Sequence, residues 1–428
     1  MGDNGHKEEE PFPWHLGIFD AHCHPTDTMS SIPSITSTMK ARTLTVMATR
    51  SQDQELVARV ADEHRVSGRQ ALRATSDPAS SHERIIPAFG WHPWFSHQLY
   101  DDTLPTGAAT YDPSSPDLDA QKLRHYNAVL TPPPSSRDDE AFTRQLPTPR
   151  SLSSLLSQTR ARLEAHPHAL VGEVGIDRAF RLPSHGVFAG EPEAGMTPGR
   201  RNGEGLSPYR VGADHQVRVL RAQLGLAGQL GRPVSVHGVQ APGLLYDALR
   251  GTWRGCERRV VSSRERRMIA RGVDEDFSSS SSSSESDEPE DEDGTGIQEK
   301  RRRRKDRKYK PKPYPPRICL HSFTGGVQTL RQYAGDRSCP ARVYFSFSMC
   351  VNYSTGGHER ERKKHIADEV IRACPDDRVL VESDLHTAGE GMDGFLEAMY
   401  RKVCEVKGWG LVEGVERIKQ NYEAFIFG

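Results

Sequence analysis

Two histidines stand two residues apart, His22 and His24, directly after the apolar run 16–19. In an extended strand that spacing turns both imidazoles to one face, and two neutral imidazoles on one face are half of a metal site. Further candidates lie far along the chain, each at the carboxyl end of a short apolar segment: His92, Glu173, His237, His321 and Asp384. Met singly, any of them is as easily a core histidine satisfied by the backbone, a capping carboxylate or a strand-terminal Asp. Their shared position at the same end of successive segments is what singles them out.

Imidazole and carboxylate ligands suit zinc, manganese or magnesium, and a carboxylate set between two histidine-bearing sides can bridge two cations. Cations about 3.5–4 Å apart activate water and neutralise phosphoryl charge in an in-line displacement. The expected assignment gives His22, His24 and Asp384 to one cation, His237 and His321 to the other, and Glu173 to both. Asp384 is the expected general base, and Glu173 its catalytic companion. His92 is assigned to the substrate.

These residues require elements that bring distant strand ends together. Apolar runs at 16–19, 44–49, 84–93, 169–177, 233–239, 317–323, 343–348 and 379–385 read as eight short strands. Helical spacing follows at 54–64, 151–166, 214–230, 241–252, 327–333, 358–373, 394–407 and 413–425. Strand and helix in alternation predict an α/β fold, a single-domain TIM (β/α)8 barrel over 14–428, whose active sites lie at the carboxyl ends of the strands. A doubly wound open sheet is second, since no Gly-rich phosphate turn follows the first strand.

Three stretches interrupt the barrel. Residues 100–150 are rich in Pro, Ser and Asp and are expected to form a loop insertion or lid, and 178–212 a second long loop. Residues 274–316 run from acidic, with the serines 278–284, to basic at 300–312, with too few apolar side chains to order themselves. Residues 1–13 are expected to be disordered.

The net charge of -1 means that any polyanion binding has to be local. Seven cysteines without CxxC spacing fit a reducing compartment, cytoplasmic or nuclear. Residues 1–13 hold no apolar signal core and no long uncharged apolar run occurs elsewhere, so neither secretion nor a membrane span is expected.

The stretches DAHCHPTD at 20–27, GWHPW at 90–94, GEVGID at 172–177, PVSVH at 233–237, HSFTGG at 321–326 and ESD at 382–384 resemble the ordered motifs of the TatD family of metal-dependent deoxyribonucleases, within the amidohydrolase-like barrels. The resemblance implies one or two divalent metals and hydrolysis of DNA phosphodiester bonds, often by 3'-5' exonuclease action. It also implies a substrate-side place for Gln223, on the helix before the fifth strand. Glu173 stands where relatives with a carbamylated lysine need Lys, which sets lactonase-like and amidase-like activity in third place.

Family members commonly carry an Arg two residues past the strand-five histidine, where this chain runs His237-Gly238-Val239, and Leu385-His386-Thr387-Ala388-Gly389 follows the last motif. Such departures look like a fungal branch of the family, some members of which are named for binding a subunit of the anaphase-promoting complex. Two functions therefore compete: a nuclease acting on DNA, and a protein-interaction scaffold working through the 274–316 insertion. The basic tract 300–312 suits nuclear import, a phosphate-gripping arm, or a plain solvated charge run, and the serines beside Glu285 and Asp287 suit an acidophilic kinase. A monomer is the expected state.

Overall fold

The computed structural model describes residues 10–73, 82–105, 107–134, 137–184, 205–257, 312–353 and 358–428. The expectations for 1–9, for the centre of 178–212 and for 274–311, including the serine and basic tracts, fall outside the described residues.

Eight strands form one parallel sheet in chain order: β1 Phe19–Cys23, β2 Thr43–Met47, β3 Ile85–Phe89, β4 Leu170–Asp177, β5 Val234–Val239, β6 Arg317–Leu320, β7 Arg342–Phe347 and β8 Val379–Val381. The flanking helices are α1 Ser51–His64, α2 Leu152–Ala165, α3 Ala213–Gln229, α4 Pro242–Arg250, α5 Val327–Gly335, α6 His358–Ala373, α7 Glu390–Lys407 and α8 Leu411–Phe427. This is the expected (β/α)8 barrel. Sheet and helix layer share one apolar core, in which Val46, Val174, Val236, Leu320 and Phe345 pack with Leu220, Leu245 and Leu396. Inside the barrel a second cluster joins Phe19, Ile86, Leu170 and Tyr344 to Tyr422 and Phe425 of α8. Burial on both faces explains why the strands read as unbroken apolar runs.

The seam between β1 and β8 closes through residues just past the strands. The Asp384 N–H donates to the His22 carbonyl at 3.0 Å, and the His24 N–H to the Leu385 carbonyl at 2.8 Å. Asp20 accepts from the Ser383 N–H, also at 3.0 Å.

The loop expected over 100–150 is corrected: helices run over Leu118–Val129 and Arg137–Gln145. Asp117 caps the first, accepting from the Ala120 N–H at 2.9 Å. Tyr126, Val129, Phe142 and Leu146 make a small core with Phe180, Leu182 and Tyr209, so parts of 178–212 are tied to the same unit. Residues 130–131 also pair antiparallel with 210–211. The Pro and Ser content conceals apolar residues three and four apart, which are enough to bury one face of each helix.

Candidate metal centre

The residues expected at the strand ends do converge, and Glu173 is the hinge of the arrangement. Its Oε2 lies 3.4 Å from His22 Nε2 and 3.5 Å from His24 Nε2. Its Oε1 lies 2.7 Å from His237 Nδ1 and 2.7 Å from His321 Nε2. Asp384 closes the first group, with Oδ1 3.6 Å from His24 and 3.9 Å from His22. Within the groups the two histidine pairs approach to 3.1 Å each, nitrogen to nitrogen. For metal–ligand bonds of about 2.1 Å in a tetrahedron, neighbouring donors stand about 3.4 Å apart, so these spacings fit a small divalent ion on either side of Glu173. Three donor sets among the described residues are close enough to share an ion: His22 with His24 and Glu173, His22 with His321 and Glu382, and His92 with Glu173 and His237.

Local backbone makes this possible. Gly175, between Glu173 and Asp177 in β4, lies so near β5 that a Cβ would collide with the His237 carbonyl. Asp384, at φ 55°, and Ser322, at φ 40°, take left-handed conformations where the chain leaves the barrel beside the site.

The imidazoles are aimed from behind. His22 Nδ1 meets the Ser235 hydroxyl at 2.9 Å, leaving Nε2 for the centre. His237 Nε2 meets Asp177 Oδ2 at 3.2 Å, leaving Nδ1. His321 Nδ1 lies 3.5 Å from Glu382, which itself accepts from the hydroxyls of Ser322 and Ser346. Carboxylate or hydroxyl partners of this kind fix the tautomer of a ligating histidine. These residues were missed from the sequence, yet the period of two in a strand offers a signal. Ser235 precedes His237 by two residues, Glu382 precedes Asp384 by two, and Asp177 follows Glu173 by four.

Burial would raise the Glu173 carboxyl, but His92, His321 and His22 hold it well below the carboxylate range. Asp384 is likewise held low against the effect of burial, by a hydrogen bond with His24 and the nearby rings of His321 and His22. Burial works to lower His24 and His237, yet Asp384 and Glu173 around the first, and Asp177 and Glu173 around the second, raise each to about 9. His22 and His92 move down because burial dominates there, His92 to about 4.

His92 and Gln223, the two residues expected at the substrate, are both buried. His92 is 3 % exposed, takes the Trp94 N–H on Nδ1 at 3.2 Å and therefore turns Nε2–H to Glu173 at 3.1 Å. It orients the carboxylate and does not face an incoming ligand. Gln223 is buried and spends both ends of its amide on Trp91, accepting from the N–H at 2.7 Å and donating to the carbonyl at 3.1 Å. It pins the turn that carries His92.

The chain matches the family described as TatD related DNase over residues 19–427. It belongs to that family. Membership makes the protein a metal-dependent hydrolase at the level of class. It is 32% identical over 409 residues to Cut9-interacting protein scn1 of Schizosaccharomyces pombe, covering 96% of this chain and 98% of that one. It is 22% identical over 316 residues to the uncharacterized deoxyribonuclease YMR262W of Saccharomyces cerevisiae, covering 73% and 70%. The crystal structure of YJJV, a TatD homolog from Escherichia coli K12, is 13% identical with a TM-score of 0.48, covering 96% and 98%. No helix among the described residues is long and apolar enough to cross a membrane.

Proposed function

We propose that this TatD-family chain hydrolyses phosphodiester bonds of DNA, holding one or two divalent cations with His22, His24 and Asp384 on one side, His237 and His321 on the other, and Glu173 between. The observation that carries the proposal is the division of Glu173, one oxygen towards each histidine pair. A cation held there supplies a Lewis acid for the phosphoryl oxygen and makes water a better nucleophile.

The protein's own groups do the rest. The Asp384 side chain is 19 % exposed against 3 % for Glu173, so it is the carboxylate that incoming water meets. Held below the carboxylate range, it is ionised at neutral pH and accepts the proton of the attacking water. Glu173, enclosed by five imidazoles, keeps its charge and holds the two histidine groups in register. Magnesium, manganese and zinc all suit the donor set.

A second reading, a protein-interaction scaffold, is favoured by the likeness to a protein named for interacting with Cut9. One experiment separates them. Purified protein with magnesium, manganese or zinc is given single-stranded and duplex DNA, beside Glu173→Gln and Asp384→Asn. Cleavage that disappears in both variants supports the nuclease. Cleavage surviving in both is contamination, and a metal-loaded protein that cleaves no DNA leaves the scaffold.

A further inference from the structure

Beside the centre lies a cavity of about 260 Å³, opening between the β5–α4 and β6–α5 connections. His321 forms its border with the metal centre, so whatever fills it is a neighbour of the group undergoing reaction. Val236, Leu245, Leu320 and Phe323 give it apolar walls. At the mouth Gln240 and Thr324 are exposed, and Thr329 is half-buried deeper in. Tyr333 lines the cavity too, 3 % exposed, and its hydroxyl has no hydrogen-bond partner among the described residues. That hydroxyl is closed off from the cavity, so Tyr333 adds only apolar ring surface to the wall.

The lining chooses the chemistry. Apart from His321, no described side chain of the cavity is an acid or a base of the Asp, Glu, Lys, Arg or His kind, which favours a neutral group over a charged one. Apolar walls with an amide and hydroxyls at the edge match a flat heteroaromatic ring, with apolar faces and a hydrogen-bonding rim. The volume falls short of the roughly 300–1,000 Å³ that encloses a whole small-molecule ligand, and so suits one ring system of something larger.

We infer that this cavity is a nucleobase subsite, seating the base of a nucleotide adjoining the scissile phosphate, with Thr329 and Gln240 meeting the base edge. The identity of the occupant rests on the phosphodiesterase reading above, and the experiment keeps the two apart. Thymidine and adenosine, which carry no phosphate, are titrated into the metal-loaded full chain and followed by saturation-transfer NMR. The same is done with Glu173→Gln, with Thr329→Phe, which fills the cavity, and with Gln240→Ala, which removes the amide at its mouth. Thermal melts establish that the variants are folded.

Nucleoside binding that persists in Glu173→Gln, falls about tenfold or more in Thr329→Phe and falls less in Gln240→Ala supports the subsite. No nucleoside binding, or binding indifferent to both cavity variants, overturns it. If nucleosides bind in that pattern while no DNA is cleaved, the subsite stands and the phosphodiesterase reading fails. If DNA is cleaved equally well when the nucleotides flanking the cut lack their bases, the activity stands and the subsite fails.

Discussion

Asp177→Asn changes a single atom and is expected to weaken metal binding without loosening the fold. The Asp177 carboxylate has two separate tasks. Oδ1 accepts the N–H groups of Ala179 at 2.7 Å and Phe180 at 2.9 Å, while Oδ2 accepts Trp94 Nε1–H at 2.5 Å and His237 Nε2 at 3.2 Å. In the variant the two backbone donors keep the amide oxygen at Oδ1, so an NH₂ group replaces Oδ2 and points at two other donors. His237 relieves the conflict by moving its proton to Nδ1, the nitrogen that faces Glu173 and the centre. That proton occupies the lone pair a cation needs. Losing such a partner typically lowers metal affinity by about 10–100-fold, or about 1.4–2.7 kcal/mol. Competition against a fluorescent chelator, with zinc or manganese and the protein stripped beforehand, measures it directly. Affinity within twofold of the unaltered protein, at an unchanged melting temperature, would mean that His237 Nδ1 holds no metal.

Other consequences are as direct. Gln223→Leu leaves the N–H and C=O of buried Trp91 unpaired, at about 1–3 kcal/mol for each group; urea denaturation should show the loss, while metal affinity, measured on the folded protein, stays within a few fold. Removing metal with a chelator is expected to abolish hydrolysis of DNA and leave the far-UV circular dichroism intact, because the barrel is held by its apolar layers; wholesale loss of helix would contradict this. Burial lowers His97 to about 3, and His125 and His215 to about 4. Neutral in the fold, these rings take up protons first in the unfolded chain. The stability they contribute is complete above about pH 6.5 and declines as pH falls towards 4, by up to about 1.4 kcal/mol per unit for each ring. Urea midpoints between pH 7.5 and 5 should therefore fall less steeply in His125→Gln than in the parent, and equal slopes would count against it.

The barrel was legible because its strands are buried on both faces and its helices are spaced for one, patterns that a short window of residues contains. That the candidate residues would meet was legible for a related reason: strand ends in such an alternation share one face, so a polar residue ending an apolar run carries information. The helices at 118–129 and 137–145 were not, since Pro, Ser and Asp dominate a stretch whose few apolar residues suffice for a local core. Gln223 was misplaced because the sequence cannot show what a glutamine amide meets; its partner is the backbone of Trp91, 132 positions away. Nor could residue types show that each oxygen of Glu173 serves a different pair of imidazoles, which depends on the rotation of one carboxylate.

The way β1 meets β8 has a consequence for when the protein can begin to work. His22 and His24 are made early in synthesis, but the carbonyl and amide that lock them, and the carboxylate that completes their group, belong to residues 384–385. A ribosome-bound chain lacking those residues owns imidazoles without a frame, so the two histidines are fixed only once residues 384–385 have been made and folded back onto β1.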